Sequence, residues 1–189
     1  MVSVILHGCS GHMGQVVTDI IAADPDIEIV AGIDAVDLGN REYPVFTDAA
    51  ECSVPADAII DFSTAKAVDV LLAYAVERNI PVVLCTTGLS ERQIALADAV
   101  NEGSGNQYHY VYDRTTRREA RGDREMGISA VRGGTIVGVH DVLFAGQDEV
   151  IEFTHTAYSR AIFGKGAVAA AKFLAGRGAG LYDMADVIG

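Results

Sequence analysis

Basic residues are scarce in this sequence, cysteines are few, and long apolar runs are missing. Fourteen Lys and Arg stand against 26 Asp and Glu, a net charge of -12, so the chain has no general attraction for phosphate backbones or anionic lipid. The one basic run, RTTRREARGDR from Arg114, carries Glu119 and Asp123 within it and no aromatic residue to stack on a base. A solvated surface fits that run better than a nucleic-acid patch. Cys9, Cys52 and Cys85 are odd in number, scattered and in no metal-like spacing. This argues against a disulfide framework and against a zinc site, and leaves them as packing residues in a reducing compartment. The longest apolar runs, such as VSVIL and IPVVL, are strand-sized, well short of the roughly 18 residues a membrane span needs. Met1 leads into a strand pattern without the basic start and apolar core of a signal peptide. The expectation is a soluble, cytoplasmic protein with no membrane or nucleic-acid partner and no metal.

What the chain does have is apolar content, 50% over 189 residues, enough to bury a core in one generous domain or in a nucleotide-sized domain with a smaller companion. The first ninety residues alternate two patterns. Strand-like VSVILHG, IEIVAGI, ADAIIDF and PVVLCTTG are separated by helical stretches at about His12 to Ala23 and Thr64 to Arg78 and by the short unit PVFTDAAE. Nearly continuous apolar strands with helices between them imply a parallel sheet covered on both faces, the doubly wound pattern. After Gly103 come QYHYVYDR, EMGISAVR, TIVGVHDVLFA and EVIEFTHTAY, β-branched and aromatic, with turn signals at Gly133-Gly134 and Gly146-Gln147-Asp148. They predict an antiparallel meander. An Ala-rich helix over about 161–175 follows, with Gly176 as its stop. The fold class expected is α/β: a shortened Rossmann-type parallel sheet plus a mixed or antiparallel sheet domain with a covering helix. The domains are 1–90 for a dinucleotide, 91–105 as helix and connector, 106–175 as the sheet-rich part, and 176–189 as a C-terminal segment.

GCSGHMG places Gly8, Gly11 and Gly14 directly after a strand and at the opening of a helix. Glycine permits the tight turn and the approach of backbone N–H groups to a pyrophosphate, and the helix N-terminus offers it partial positive charge. The next strand ends at Asp34, twenty residues past Gly14, where a carboxylate can accept hydrogen bonds from an adenosine ribose. The same glycines would also serve a plain structural turn, and Asp34 a strand-end cap. A carboxylate repels a 2′-phosphate and the nearest arginine, Arg41, lies seven residues on, which favours NADH over NADPH. IIDFST at 59–64 and CTTG at 85–88 end two further strands on the edge where α/β sheets bind ligands; strand-end turns or helix caps account for Ser63, Thr64 and Thr87 equally well.

Taken in order, G-x-x-G-x-M-G, D-F-S, T-T-G-L-S, VRGGTIVGVHDVLFAG, EFTHTAYSRAIFGKGAVAAAKFL and GLYDMADVI resemble dihydrodipicolinate reductases of bacterial lysine and diaminopimelate biosynthesis. The resemblance covers residues 1 to about 90 and about 107 to 189. It implies a nucleotide-binding domain joined to a sheet-rich domain that binds substrate and builds a homotetramer, and reduction of a cyclic dihydropyridine dicarboxylate with NADH or NADPH. It also implies cofactor-binding positions: Gly8, Cys9, Ser10, Gly11, His12, Met13 and Gly14 for the pyrophosphate, Asp34 for the ribose, and Cys85, Thr86, Thr87 and Gly88 for the nicotinamide.

The sequence departs from the family pattern in one block. Members carry E-x-H-H-x-x-K-x-D-x-P-S-G-T-A between the T-T-G block and the later strands, with a histidine as proton donor and the lysine and S-G-T turn on the substrate carboxylates. Here there is no His-His pair, no Pro-Ser-Gly and no lysine between Lys66 and Lys165. LADAVNE resembles the helix that follows S-G-T-A, so the chain reads as joined between about Ser90 and Leu96, with GSG as a linker or a native turn. His109, His140 and His155 lie in strand patterns without a placed carboxylate, and Arg160 and Lys165 near a helix start suit a surface or helix-anchoring role. No residue is assigned as catalytic. The alternative to the reductase is a shortened relative that binds a dinucleotide and oligomerises without turnover.

Overall fold

The computed structural model describes residues 1–87, 109–111, 125–127 and 133–189. The chain divides into two compact units, one of residues 1–88 with 157–189 and the other of residues 89–156. Gly88, the helix expected over 91–102 and the connector after it lie outside the described residues.

The first unit is built on β1 (Val2–His7), α1 (His12–Ala22), β2 (Ile27–Ile33), β3 (Val45–Phe46), a 3-10 turn (Ala49–Glu51), β4 (Ala58–Asp61), α2 (Ala65–Arg78) and β5 (Val82–Leu84). Its five strands are parallel, in the order β3-β2-β1-β4-β5. The period-two alternation of the strands feeds two separate cores. Val4, Leu6, Ala58 and Ile60 point to one face with Val17 and Ile21 of α1; Ile5, Ile59, Ala31 and Ile33 point to the other with Leu71, Tyr74 and Ala75 of α2. That is why these strands read as continuous apolar runs. The chain winds outward through β2 and β3 on one side and through β5 on the other. Right-handed crossovers therefore put α1 and α2 on opposite faces and open a crevice between the C-terminal ends of β1 and β4.

The late helix, α3 (Ala161–Leu174), was expected to cover the second sheet, and it lies on the first. Ala167, Val168 and Ala171 join the core of Val4, Leu6, Val17 and Ile21. Gly164 makes the approach to α1 close, since a Cβ there would come within 2.8 Å of Ile20 Cδ1. Lys172 then donates to both carboxylate oxygens of Asp24, at 2.8 and 2.6 Å. The stripe of small residues on α3 is shaped for a helix neighbour rather than for a pleated surface. A short α4 (Met184–Ile188) closes the chain with a capping box, Asp183 and Asp186 each accepting from the other's backbone N–H.

In the second unit β8 (Gly138–Ala145) and β9 (Val150–Ala157) form a two-stranded sheet. The turn between them is closed by Gly146 N–H donating to Glu149 O at 2.9 Å, a connection that only antiparallel strands allow. The meander does not extend to the earlier pair. β6 (His109–Val111) and β7 (Glu125–Gly127) pair parallel, His109 opposite Glu125 and Val111 opposite Gly127. The distance in sequence from Val111 to Glu125 is longer than a tight hairpin turn and compatible with parallel pairing. Among the described residues no helix is long and apolar enough to cross a membrane.

Candidate functional site

The glycine loop leaves β1 at the crevice. Gly8 has φ +81°, and a Cβ on it would lie 2.7 Å from Phe62 O in the connection after β4. A Cβ on Gly14 would run into the carbonyl oxygens of Gly8 and Cys9. These two glycines are demanded by close packing of the loop against β4 and α1. Gly11 is different: it is extended (φ -76°), exposed, and is the N-cap of α1, with no side chain capping the helix and no acidic residue in its first turn. The first-turn N–H groups at His12, Met13 and Gly14 thus meet no capping side chain and no competing carboxylate. This is the donor set and the partial positive charge that a pyrophosphate takes. The loop fits a dinucleotide on its own geometry.

At the end of β2, Asp34 turns back to this loop and accepts Ser10 N–H on Oδ2 at 2.8 Å. Ser10 Oγ donates to Val36 O at 2.8 Å. Asp34 thereby fixes the loop. Cys9 contributes backbone only: its side chain is buried against Gly32, where a Cβ would sit 2.6 Å from Sγ, and burial pushes its thiol above the usual range, ahead of the opposing Ser10 hydrogen bond. Seven residues of separation had placed Arg41 away from the site. Pairing of β3 with β2, through Gly32 N–H to Pro44 O and Asp34 N–H to Phe46 O, folds the intervening loop back. The guanidinium of Arg41 then donates to Cys9 O and, at 2.8 Å, to Gln15 Oε1. Its Nε is buried without a hydrogen-bond partner.

Across the crevice the strand ends carry a buried polar chain, of whose side chains the sequence assigns only Thr86. His7 closes β1 and Asp61 closes β4, directly opposite one another. His7 Nδ1 lies 2.8 Å from Asp61 Oδ1, which also accepts Ser63 N–H at 3.1 Å, and Thr86 Oγ1 donates to Asp61 Oδ2 at 2.6 Å. Asp61 is fully buried and Thr86 nearly so. Burial pushes the Asp61 carboxyl up, but the three hydrogen bonds outweigh it and hold the group below its ordinary value. Cys85, beside Asp61, has its thiol pushed up to about 11, first by burial and then by the Asp61 charge; it is a packing residue, not a nucleophile. Thr87 is exposed at the crevice edge. The signal for Asp61 was present in IIDFST: an Asp ending an otherwise apolar strand must find partners at its own depth.

Arg160, the N-cap residue of α3, reaches α1, with Nη1 3.4 Å from His12 Nε2, so the packing of α3 delivers a cation to the glycine loop. His140 and His155 stack on one another across β8 and β9, centroids 5.9 Å apart and rings 12° from parallel, as cross-strand neighbours do. Among the described residues no group of three or more His, Cys, Asp or Glu is arranged to hold a metal ion.

Comparison with known proteins agrees with this architecture. Residues 2–105 match the family model described as dihydrodipicolinate reductase, N-terminus, and residues 72–188 the one described as dihydrodipicolinate reductase, C-terminus. The 4-hydroxy-tetrahydrodipicolinate reductase of Caldanaerobacter subterraneus subsp. tengcongensis is 37% identical over an alignment of 248 residues, covering 100% of this chain and 98% of that protein. That of Clostridium novyi is 34% identical with the same coverage. Both alignments are longer than the 189 residues of the chain, so these relatives carry residues without a counterpart here. A solved dipicolinate-bound dihydrodipicolinate reductase from Paenisporosarcina sp. TG-14 superposes with a TM-score of 0.62 at 16% identity, over 93% of this chain and 95% of that one, and shares the fold.

Proposed function

The chain belongs to the dihydrodipicolinate reductase family, and we propose that it binds NADH or NADPH at the glycine loop and reduces a cyclic dihydropyridine dicarboxylate in the cytoplasm. The observation that carries this reading is the uncapped N-terminus of α1 beside a loop pinned by Asp34. When bound, the cofactor supplies a hydride to a ring carbon of the substrate. The chain's own part is to hold the pyrophosphate on the N–H groups of residues 12–14, with the Arg160 cation alongside, and to keep the ribose on Asp34. Cys85, Thr86, Thr87 and Gly88 form the nicotinamide side. Asp34 favours NADH; the Arg41 guanidinium at the same loop is the group that would offset a 2′-phosphate.

One observation favours a second reading, binding and assembly without turnover. The relatives are longer than this chain, and no lysine stands between Lys66 and Lys165 to meet a substrate carboxylate. Hydride transfer to the ring needs a positioned acid and cations on the carboxylates to gain rate. The two readings part in one experiment. NADH at 100 times its dissociation constant is expected to stabilise the protein by about 2.7 kcal/mol and Gly11→Asp to abolish that gain. NADH oxidation above the Gly11→Asp control, with the unstable substrate generated in situ, supports the reductase. Stabilisation without oxidation supports the binding relative, and the absence of both overturns the proposal.

We further propose a homotetramer assembled through the second unit. Val142, Leu143, Val150 and Ile151 of β8 and β9 are exposed, Leu143 at 61%. Apolar strand surface left bare on both faces is an assembly surface in a folded protein. Light scattering is expected to give four times the chain mass of 19.9 kDa; a clean monomer would sink this part.

A further inference from the structure

We propose that Asp61 is a positioning residue for the nicotinamide end of the cofactor: acting through the Thr86 hydroxyl, it presents an acceptor of fixed polarity that selects a carboxamide NH2. The inference rests on the dinucleotide reading above and adds to it the direction of one hydrogen bond.

The argument is a count of protons. Asp61 is fully buried, accepts from Ser63 N–H and Thr86 Oγ1, and has His7 Nδ1 2.8 Å from its Oδ1. An ionised carboxylate has no proton to give, so each of these partners must be the donor. A hydroxyl owns one proton, and that of Thr86 is committed to Asp61 Oδ2 at 2.6 Å. What the hydroxyl has left is lone pairs. Toward any further group Thr86 is an acceptor only, where an ordinary threonine would rotate to donate or accept as required.

Thr86 lies two residues beyond β5, on the side of β1 away from β2 and Asp34. A dinucleotide with its pyrophosphate at the β1 loop and its adenosine ribose at Asp34 directs its other ring toward β4 and β5, about 10 Å across two strand spacings. The substituent on that ring is a carboxamide, with an NH2 that donates and an oxygen that accepts. A fixed acceptor takes the NH2 and thereby sets which way the carboxamide faces. His7 and Ser63 hold the Asp61 carboxylate in plane for this task, and the register of β1 against β4 puts them there.

The test is calorimetric titration of the whole chain with NADH and two reduced analogues. The thionicotinamide form keeps the NH2; the 3-acetylpyridine form replaces it with a methyl group. NADH and the thio analogue are expected to bind alike and the acetylpyridine analogue about tenfold more weakly, the effect of one hydrogen bond. Thr86→Val should bring that ratio close to one and Thr86→Ser should restore it. Asp61→Asn turns an amide NH2 toward Thr86, frees its proton and should shift preference toward the acetylpyridine analogue; if that variant does not fold, the Thr86 pair decides alone. A parent ratio near one, a thio analogue as weak as the acetylpyridine one, or a ratio untouched by Thr86→Val overturns the inference and leaves dinucleotide binding standing. Failure of every dinucleotide to bind overturns both.

Discussion

Gly8→Ala is expected to cost about 2–5 kcal/mol of stability, seen as a lower urea midpoint at unchanged slope. Two costs add. At φ +81° an L side chain is strained, and its Cβ would lie 2.7 Å from Phe62 O and 2.8 Å from Phe62 C. Both neighbours are backbone, and that backbone is held by Phe62 N–H donating to His7 O at 3.0 Å, so no rotation of a side chain relieves the clash. Against a total stability of about 5–15 kcal/mol for a domain, the loss is large. Gly11→Ala provides the contrast. Its φ is ordinary and its nearest neighbour, Gly8 O, would be 3.3 Å away, so stability should move by less than about 0.5 kcal/mol while NADH binding weakens, because the added methyl stands at the helix end where the phosphates approach. If Gly8→Ala unfolds at the parent's midpoint, or if both variants lose stability equally, the division of labour within the loop is wrong.

How much of this was legible in the letters follows from how local each signal is. Strand and helix placement in the first unit was readable because a strand buried on both faces must be apolar throughout, and VSVILH, IEIVAGI and AIID all are. The glycine loop was readable because its chemistry is contiguous. Three things depended on pairings that no local pattern encodes. Arg41 came to the loop only because β3 pairs with β2. The Asp61 network needed the register of β1 against β4 and the chain reversal through α2 that sets Thr86 beside it. The destination of α3 was hidden because Ala and Gly stripes announce a close neighbour without saying which one, and here Arg160 and Lys172 at its two ends, on His12 and Asp24, fix it to α1. The parallel pairing of β6 and β7 belongs with these, since sequence adjacency of two strand patterns favours a hairpin until the length between them is counted.

Asp61→Ala is expected to cost about 3–5 kcal/mol of stability. It leaves the His7 ring, the Ser63 N–H and the Thr86 hydroxyl at a buried site without their acceptor. Asp61→Asn keeps one acceptor oxygen and should cost less, about 1–3 kcal/mol. The pH dependence separates this from a simple packing defect. Burial raises the Asp61 carboxyl, the hydrogen bonds from His7, Ser63 and Thr86 lower it by more, and the outcome is a folded-state value below the ordinary one. A depressed carboxyl contributes stability that is fully present above the unfolded-state value of about 3.9 and is lost as pH falls through the folded-state value. The stability difference between the parent and Asp61→Asn should therefore shrink as pH falls below about 4. Asp24 and Asp57, whose carboxyls are also held low by their own hydrogen bonds, are present in both proteins and cancel in the difference. Urea midpoints of the two proteins across that range measure it. A difference that stays flat into acid would mean that Asp61 is not ionised in the folded protein, and the fixed polarity of Thr86 would fall with it.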